Sequence, residues 1–268
     1  MNGYLRRLVS TRRLSLLIAL LMASGLALST QAQTQPSPSL DALFATYVDA
    51  DGFVDYETLH ADYDDALAPH VEALAGARPD TLDVNAQRAF WLNAYNVLTL
   101  SLIARHYPVN SVWEIQQEGS EALGPFERPV GVVAGDPLSL DAIQYTRIRP
   151  LFRDDPRYHM ALVCAAVSCP PLRQEAYTGS ELHAQLEAQA HRFVQNPMQN
   201  ALLRPQEIAR LSSIFEWYRD EFGGSDAEIQ QFIAAYIGDE AAAEQLRAEA
   251  YVVTYRSYDW TLNAQRLN

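Results

Sequence analysis

Lysine is missing from all 268 residues: the 20 basic side chains are all arginine, set against 33 acidic ones, for a formal net charge of −13. A surface of that sign repels nucleic acid and anionic lipid, so neither is an expected partner. There are 2 cysteines, Cys164 and Cys169, too few for a disulfide-scaffold protein. No Gly/Ser/Pro-rich linker and no internal repeat interrupts the chain after Leu40, which excludes a repeat array and argues against two tethered domains. A long apolar run is also absent. The longest, Leu14 to Leu28, falls short of the roughly 20 residues that span a bilayer.

That short run follows Arg6, Arg7, Arg12 and Arg13 and precedes Ser29-Thr30-Gln31-Ala32, the three-part layout of a secretory signal peptide. Cleavage is expected after Ala32, with an uncleaved anchor as the alternative. Losing the four leader arginines takes the formal charge from −13 to −17. No cysteine lies near the cut to carry a lipid. The expected organisation is a leader over 1–32, a disordered stub over 33–39 and one domain over 40–268, periplasmic or secreted, with no membrane span once the leader is removed.

Apolar spacing predicts helices over Leu40–Ala50 and Tyr56–Ala75, separated by the turn Asp51-Gly52. A third, about Val84–His106, is apolar nearly all round, as a helix at the centre of a fold must be. A hairpin is expected around Ala134-Gly135-Asp136, then a helix capped by Ser139 and running to about Phe152. Tyr158–Cys164 reads as a buried strand. Thr178 with Glu181, Ser213 with Glu216 and Ser225 with Glu228 have capping-box spacing and predict three more helices. A second hairpin pairs 201–203 with 208–211 about Pro205, and Tyr251–Tyr255 is a β-prone segment. The fold class is α+β: a central buried helix, surrounding helices and a small, mostly antiparallel sheet.

Three groups of polar residues stand where apolar ones are expected. Asn93 and Asn96 share one face of the apolar helix; they either tie it to a neighbouring loop or line a site. His159 precedes Cys164 and Cys169-Pro170-Pro171. On a strand, His159 and Cys164 would face opposite ways, leaving Cys169 beyond the bend as the candidate nucleophile with His159 as base. A Cys164–Cys169 disulfide forms only if the chain bends between them, and a metal set of His159, Cys164 and Cys169 lacks the paired spacing of zinc motifs. No metal or other cofactor is expected. Asp259, between Tyr258 and Trp260, reads as a C-terminal latch or as the acid that orients a catalytic histidine.

These pieces resemble the family known as domain of unknown function 547. The resemblance rests on Phe90-Trp91-Leu92-Asn93-Ala94-Tyr95-Asn96, on Leu138-Ser139-Leu140, on Asp155-Pro156-Arg157-Tyr158-His159 leading to Cys164, and on Ser168-Cys169-Pro170-Pro171-Leu172. It continues through Leu211-Ser212-Ser213-Ile214-Phe215-Glu216-Trp217-Tyr218 and Tyr258-Asp259-Trp260-Thr261-Leu262-Asn263. Gln144 departs from it, since the family helix usually shows Glu there, and no role that needs that carboxylate carries over. The resemblance implies no established activity, and it marks the Asn pair, His159, the two cysteines and Asp259 as the positions to test. The leading expectation is a cysteine-dependent hydrolase or acyl-transferase of papain- or transglutaminase-like arrangement. In it Cys169 is the nucleophile, His159 the base and Asp259 its orienter, with Asn93 or Asn96 donating to an oxyanion. The rivals are a non-catalytic periplasmic binding module for a small molecule or peptide, and a redox-active cysteine pair.

Overall fold

A computed structural model describes residues 39–115 and 123–265. Ser39 opens them by accepting the Ala42 N–H at 3.1 Å and starting helix α1 (Leu40–Tyr47). The expected leader and the rest of the stub lie outside the described residues. Where one helix is expected from Tyr56 to Ala75, three short ones form: α2 (Tyr56–Ala61), α3 (Tyr63–Ala66) and α4 (Ala68–Ala75). Two local causes break it. The Asp62 carboxylate takes the Tyr47 hydroxyl at 2.9 Å from a non-helical backbone, and Pro69 has no N–H to return to Asp65.

Asp83 caps α5 (Val84–His106) by accepting the Asn85 and Ala86 N–H groups, each at 3.0 Å. From Trp91 to Ala104 every side chain of α5 except Asn93 is buried, so this helix is the core about which α2, α3 and α4 pack. Strands β1 (Pro129–Val133) and β2 (Asp136–Ser139) form the expected antiparallel hairpin. Ala134 and Gly135 turn it at φ 54° and 87°, the left-handed pair that a two-residue hairpin turn requires. Ser139 caps α6 (Leu140–Ile143), which widens into a π turn over Gln144–Ile148 before α7 (Arg149–Leu151). Pro150, which cannot donate to Thr146, stands two residues after the end of the wide turn.

The expected strand at Tyr158–Cys164 is absent. Residues Pro156–Met160 form a 3-10 turn, started by the Asp155 carboxylate, which accepts the Arg157 backbone N–H at 3.2 Å and its guanidinium at 2.7 Å. The run is apolar because Tyr158, His159 and Met160 are all buried, and apolar content alone does not separate a buried turn from a buried strand. The chain continues through α8 (Leu182–Val194), β3 (Ala201–Leu203), β4 (Ile208–Leu211), α9 (Ser213–Trp217), α10 (Asp226–Tyr236), α11 (Glu240–Arg247) and β5 (Val252–Tyr255). Ser225 caps α10 by accepting the Glu228 N–H at 3.2 Å, but the expected box is only half made, since the Glu228 carboxylate takes the Ser225 hydroxyl at 2.9 Å and not its backbone N–H; α9 is capped one residue earlier than expected, by Ser212. Sequence reasoning missed α11, capped by Asp239. Strands β3 and β4 pair antiparallel, and β5 joins β4 in parallel.

The architecture is α+β, with a buried central helix and two small sheets. Two apolar clusters fill it, one around α5 and one beneath β4, α9 and α10. The 3-10 turn joins them, Tyr158 packing in the first and Met160 in the second, while Tyr258 touches both. Among the described residues no helix is long and apolar enough to cross a membrane.

Candidate functional site

A cleft of about 330 Å³ opens where the two clusters meet. Helix α5 contributes Tyr95, the helix begun by Ser139 contributes Asp141, Gln144 and Tyr145, and the 3-10 turn contributes His159. Cys164 and Pro170 follow from the loop beyond it, Trp217 and Tyr218 from the end of α9, and Tyr258 and Trp260 from the C-terminal segment. The π turn re-aims the helix so that Gln144 and Tyr145 both reach the cleft; Gln144 donates to the Tyr218 hydroxyl at 2.9 Å. Trp217, Tyr258 and Trp260 form an aromatic wall, with Tyr258 4.6 Å from each tryptophan ring and the two indoles nearly parallel at 6.1 Å.

His159 lies between the rings of Tyr158 and Tyr218, at 4.0 and 3.9 Å. Its Nε2 is 3.2 Å from Glu221 Oε2 but off the N–H direction, so the contact is electrostatic and is not an aligned hydrogen bond. Burial holds the imidazole pKa below its ordinary value, with the Glu221 carboxylate pulling the other way. Glu221 also accepts the Tyr158 hydroxyl at 2.6 Å and meets Arg149 at 3.1 Å. Desolvation works against its charge, yet the His159 and Tyr158 contacts outweigh that and hold its carboxyl below the usual range. A neutral imidazole beside an ionised carboxylate is thus the resting state near neutral pH.

The expected triad of Cys169, His159 and Asp259 is not assembled. Asp259 is exposed; its carboxylate accepts the Thr261 N–H at 2.9 Å and its own N–H goes to Ser168 Oγ at 2.9 Å. Those Thr261 bonds hold its carboxyl low. The acid beside His159 is Glu221, which no local pattern marks because its place depends on the turn after α9. Cys169 is bonded to Cys164, with Cα atoms 6.0 Å apart. Ala165, at φ 62°, supplies the bend this bridge needs. The Cys169 sulfur also lies 2.9 Å from the Cys164 N–H and 3.3 Å from the Ala166 N–H. The Tyr258 hydroxyl reaches both sulfurs, 3.0 Å from Cys164 and 3.3 Å from Cys169.

Both asparagines of α5 hold loops in place. Asn96 donates to Ala161 O at 2.9 Å and accepts the Val163 N–H at 3.0 Å; Asn93 makes the same two-way clamp on the Tyr177 backbone, at 2.8 and 2.9 Å. Each spends its carbonyl and one N–H on its loop, and neither is among the residues lining the cleft. Beyond the disulfide loop a second hollow, about 400 Å³, is lined by Cys169, Arg192 and Gln199 among others. Two of its polar side chains are committed to backbone carbonyls: Arg192 donates to Ala50 and Leu172, and Gln199 to Val167 and Cys169. The disulfide loop therefore stands between two hollows, with Cys164 facing one and Cys169 the other. Among the described residues no group of three or more His, Cys, Asp or Glu side chains is placed to hold a metal ion.

Residues 79–194 match the family described as "Protein of unknown function, DUF547". No curated protein and no solved structure matches the chain at a significant level.

Proposed function

We propose, from the match of residues 79–194 to the DUF547 family model, that the protein is an exported binding module of that family whose ligand occupies the aromatic cleft. One observation carries this reading. Segments far apart in the sequence, around Tyr95, Asp141, His159, Cys164, Trp217 and Tyr258, each place a side chain on the same hollow. A concave, largely apolar site with a few converging polar groups is the usual form of a small-molecule site. The exposed faces of Trp217 and Tyr145, 48% and 45% accessible, need no such arrangement for stability, since exposed aromatics contribute little burial. The test is calorimetric screening of small ring-bearing molecules and short peptides against the wild type and Trp217→Ala. A ligand whose binding survives Trp217→Ala unchanged counts against the cleft.

A second reading is favoured by the Tyr258 hydroxyl lying against both sulfurs. As a redox pair, Cys164–Cys169 would accept two electrons and two protons from a dithiol, which leaves as its own disulfide, with Tyr258 a donor to the departing thiolate. Tyr258→Phe would then slow reduction by a dithiol without altering the thiol count at completion. A cysteine-dependent hydrolase or acyl-transferase has less support, because a sulfur already bonded to another is no nucleophile and His159 faces the hollow of Cys164. Esterase activity that appears only on reduction and vanishes in Cys169→Ser would restore it.

A further inference from the structure

We propose that the occupant of the cleft carries a positive charge of the ammonium or guanidinium class, seated between the Trp217–Tyr258–Trp260 wall and the Asp141 carboxylate. The proposal rests on the reading of the cleft as a binding site and adds the charge of what it binds.

Asp141 lies in the first turn after Ser139 and lines the cleft, half-buried. Among the described residues its carboxylate has no hydrogen-bond donor and no cationic partner, although carboxylates withdrawn from water are normally paired. Burial and the neighbouring charge of Glu127, another acid, raise its pKa above the usual range. Among the described residues no arginine lines the cleft, and its histidine rests neutral. The arginines of the neighbouring helix are engaged elsewhere: Arg147 pairs with Asp136 at 3.0 Å and lies over the Trp91 ring, and Arg149 meets Glu221.

An acid near a helix start has a bland explanation in the helix dipole, but α6 is a single turn and that account leaves the aromatic wall of the same cleft unexplained. Indole and phenol faces carry negative potential and attract cations, the more so when water is excluded. An anionic ligand would meet Asp141 with like charge. A neutral one would leave that carboxylate half-desolvated and unpaired. A cation satisfies both walls, and the acidic surface concentrates cations near the mouth.

The experiment titrates the full chain with choline and with its neutral carbon isostere, dimethylbutanol, following tryptophan fluorescence and heat. Choline is expected to bind at least about tenfold more tightly than the isostere. Asp141→Asn should abolish that preference, and added sodium chloride should weaken choline alone. Equal affinities for the two probes in the wild type would overturn the proposal whether or not the variant folds. Indole serves as a neutral ring probe. If it binds in a Trp217-dependent way while choline shows no preference, the cleft stands and the charge assignment falls. If none of the probes depends on Trp217, both fall.

Discussion

Glu221 Oε2 stands 3.2 Å from His159 Nε2 and holds the Tyr158 hydroxyl at 2.6 Å, so one carboxylate braces two adjacent residues of the 3-10 turn. Its charge stabilises imidazolium while burial opposes it, and burial wins. Glu221→Gln removes the stabilising contribution and should lower the His159 pKa further. Asp259→Asn, acting on a carboxylate bonded to Thr261, should leave it unchanged. Proton titration of the His159 ring by NMR separates the two: a response to Asp259→Asn and none to Glu221→Gln would restore the acid first expected as the orienter.

The same histidine fixes the sign of one pH effect. Its folded pKa lies below the ordinary 6.5, so as pH falls the unfolded chain takes up the proton first. The contribution to stability is fully present above about 6.5 and is lost as pH falls through the folded value. Denaturant midpoints measured downward from pH 7 should therefore fall more steeply in the wild type than in a folded His159→Gln variant. Parallel slopes would show that His159 is not a source of acid sensitivity.

Asn96 satisfies two buried backbone groups at once, Ala161 O and the Val163 N–H. Asn96→Ala strands both, at about 1–3 kcal/mol for each group, so a loss of about 2–6 kcal/mol is expected. Asn93→Ala should cost less, because Asn93 is only half-buried and water can reach the Tyr177 groups it releases. Urea unfolding with an unchanged m-value checks both, and a loss under about 1 kcal/mol for Asn96→Ala would refute the clamp.

Local rules made several of these elements legible. The Asp83 cap, the all-round apolar character of α5, the Ala134-Gly135 turn and the Ser225 cap are each written within a few adjacent residues and form as read. The segment Tyr158–Cys164 failed for the opposite reason: its apolar residues serve two clusters on different sides, and such burial has no period. Asn93 and Asn96 were identifiable as residues needing partners, but their partners are loops remote in sequence. Glu221 and Asp141 left no signal, since an acid on a helix near the surface is ordinary until its neighbours are known. The cleft became visible only once the separate motifs were found lining one hollow.

The cysteines make a second stability test. The Cys164–Cys169 bridge closes a short loop, with a sequence separation of 5, so loop-closure entropy assigns it only about 2 kcal/mol. Native oxidised protein should show no reactive thiol, and reduction under denaturant should release two. The double variant Cys164→Ala/Cys169→Ala should fold with a loss of about 2 kcal/mol. Two reactive thiols in native protein purified without reductant would contradict the bridge and return the hydrolase reading to the front.

Gly52 offers the sharpest steric test of how the disulfide loop is held. It turns the chain between α1 and α2 at φ 89°, and a Cβ there would stand 2.6 Å from Pro171 Cβ and 2.7 Å from the Leu172 backbone nitrogen. Neither atom belongs to a flexible side-chain end, so the strain cannot be relieved by a rotamer change. The left-handed backbone adds its own cost for any residue with a Cβ. Together these give an expected loss of about 3 kcal/mol for Gly52→Ala. The control is Gly135→Ala, at φ 87° but with open space around its Cβ, where only the backbone cost of about 1 kcal/mol applies. Equal losses at the two glycines would mean that the Pro170-Pro171 turn does not press on the α1–α2 turn. The wall between the two hollows would then be held by the disulfide and by the bonds that Gln189, Arg192 and Gln199 make to its backbone carbonyls.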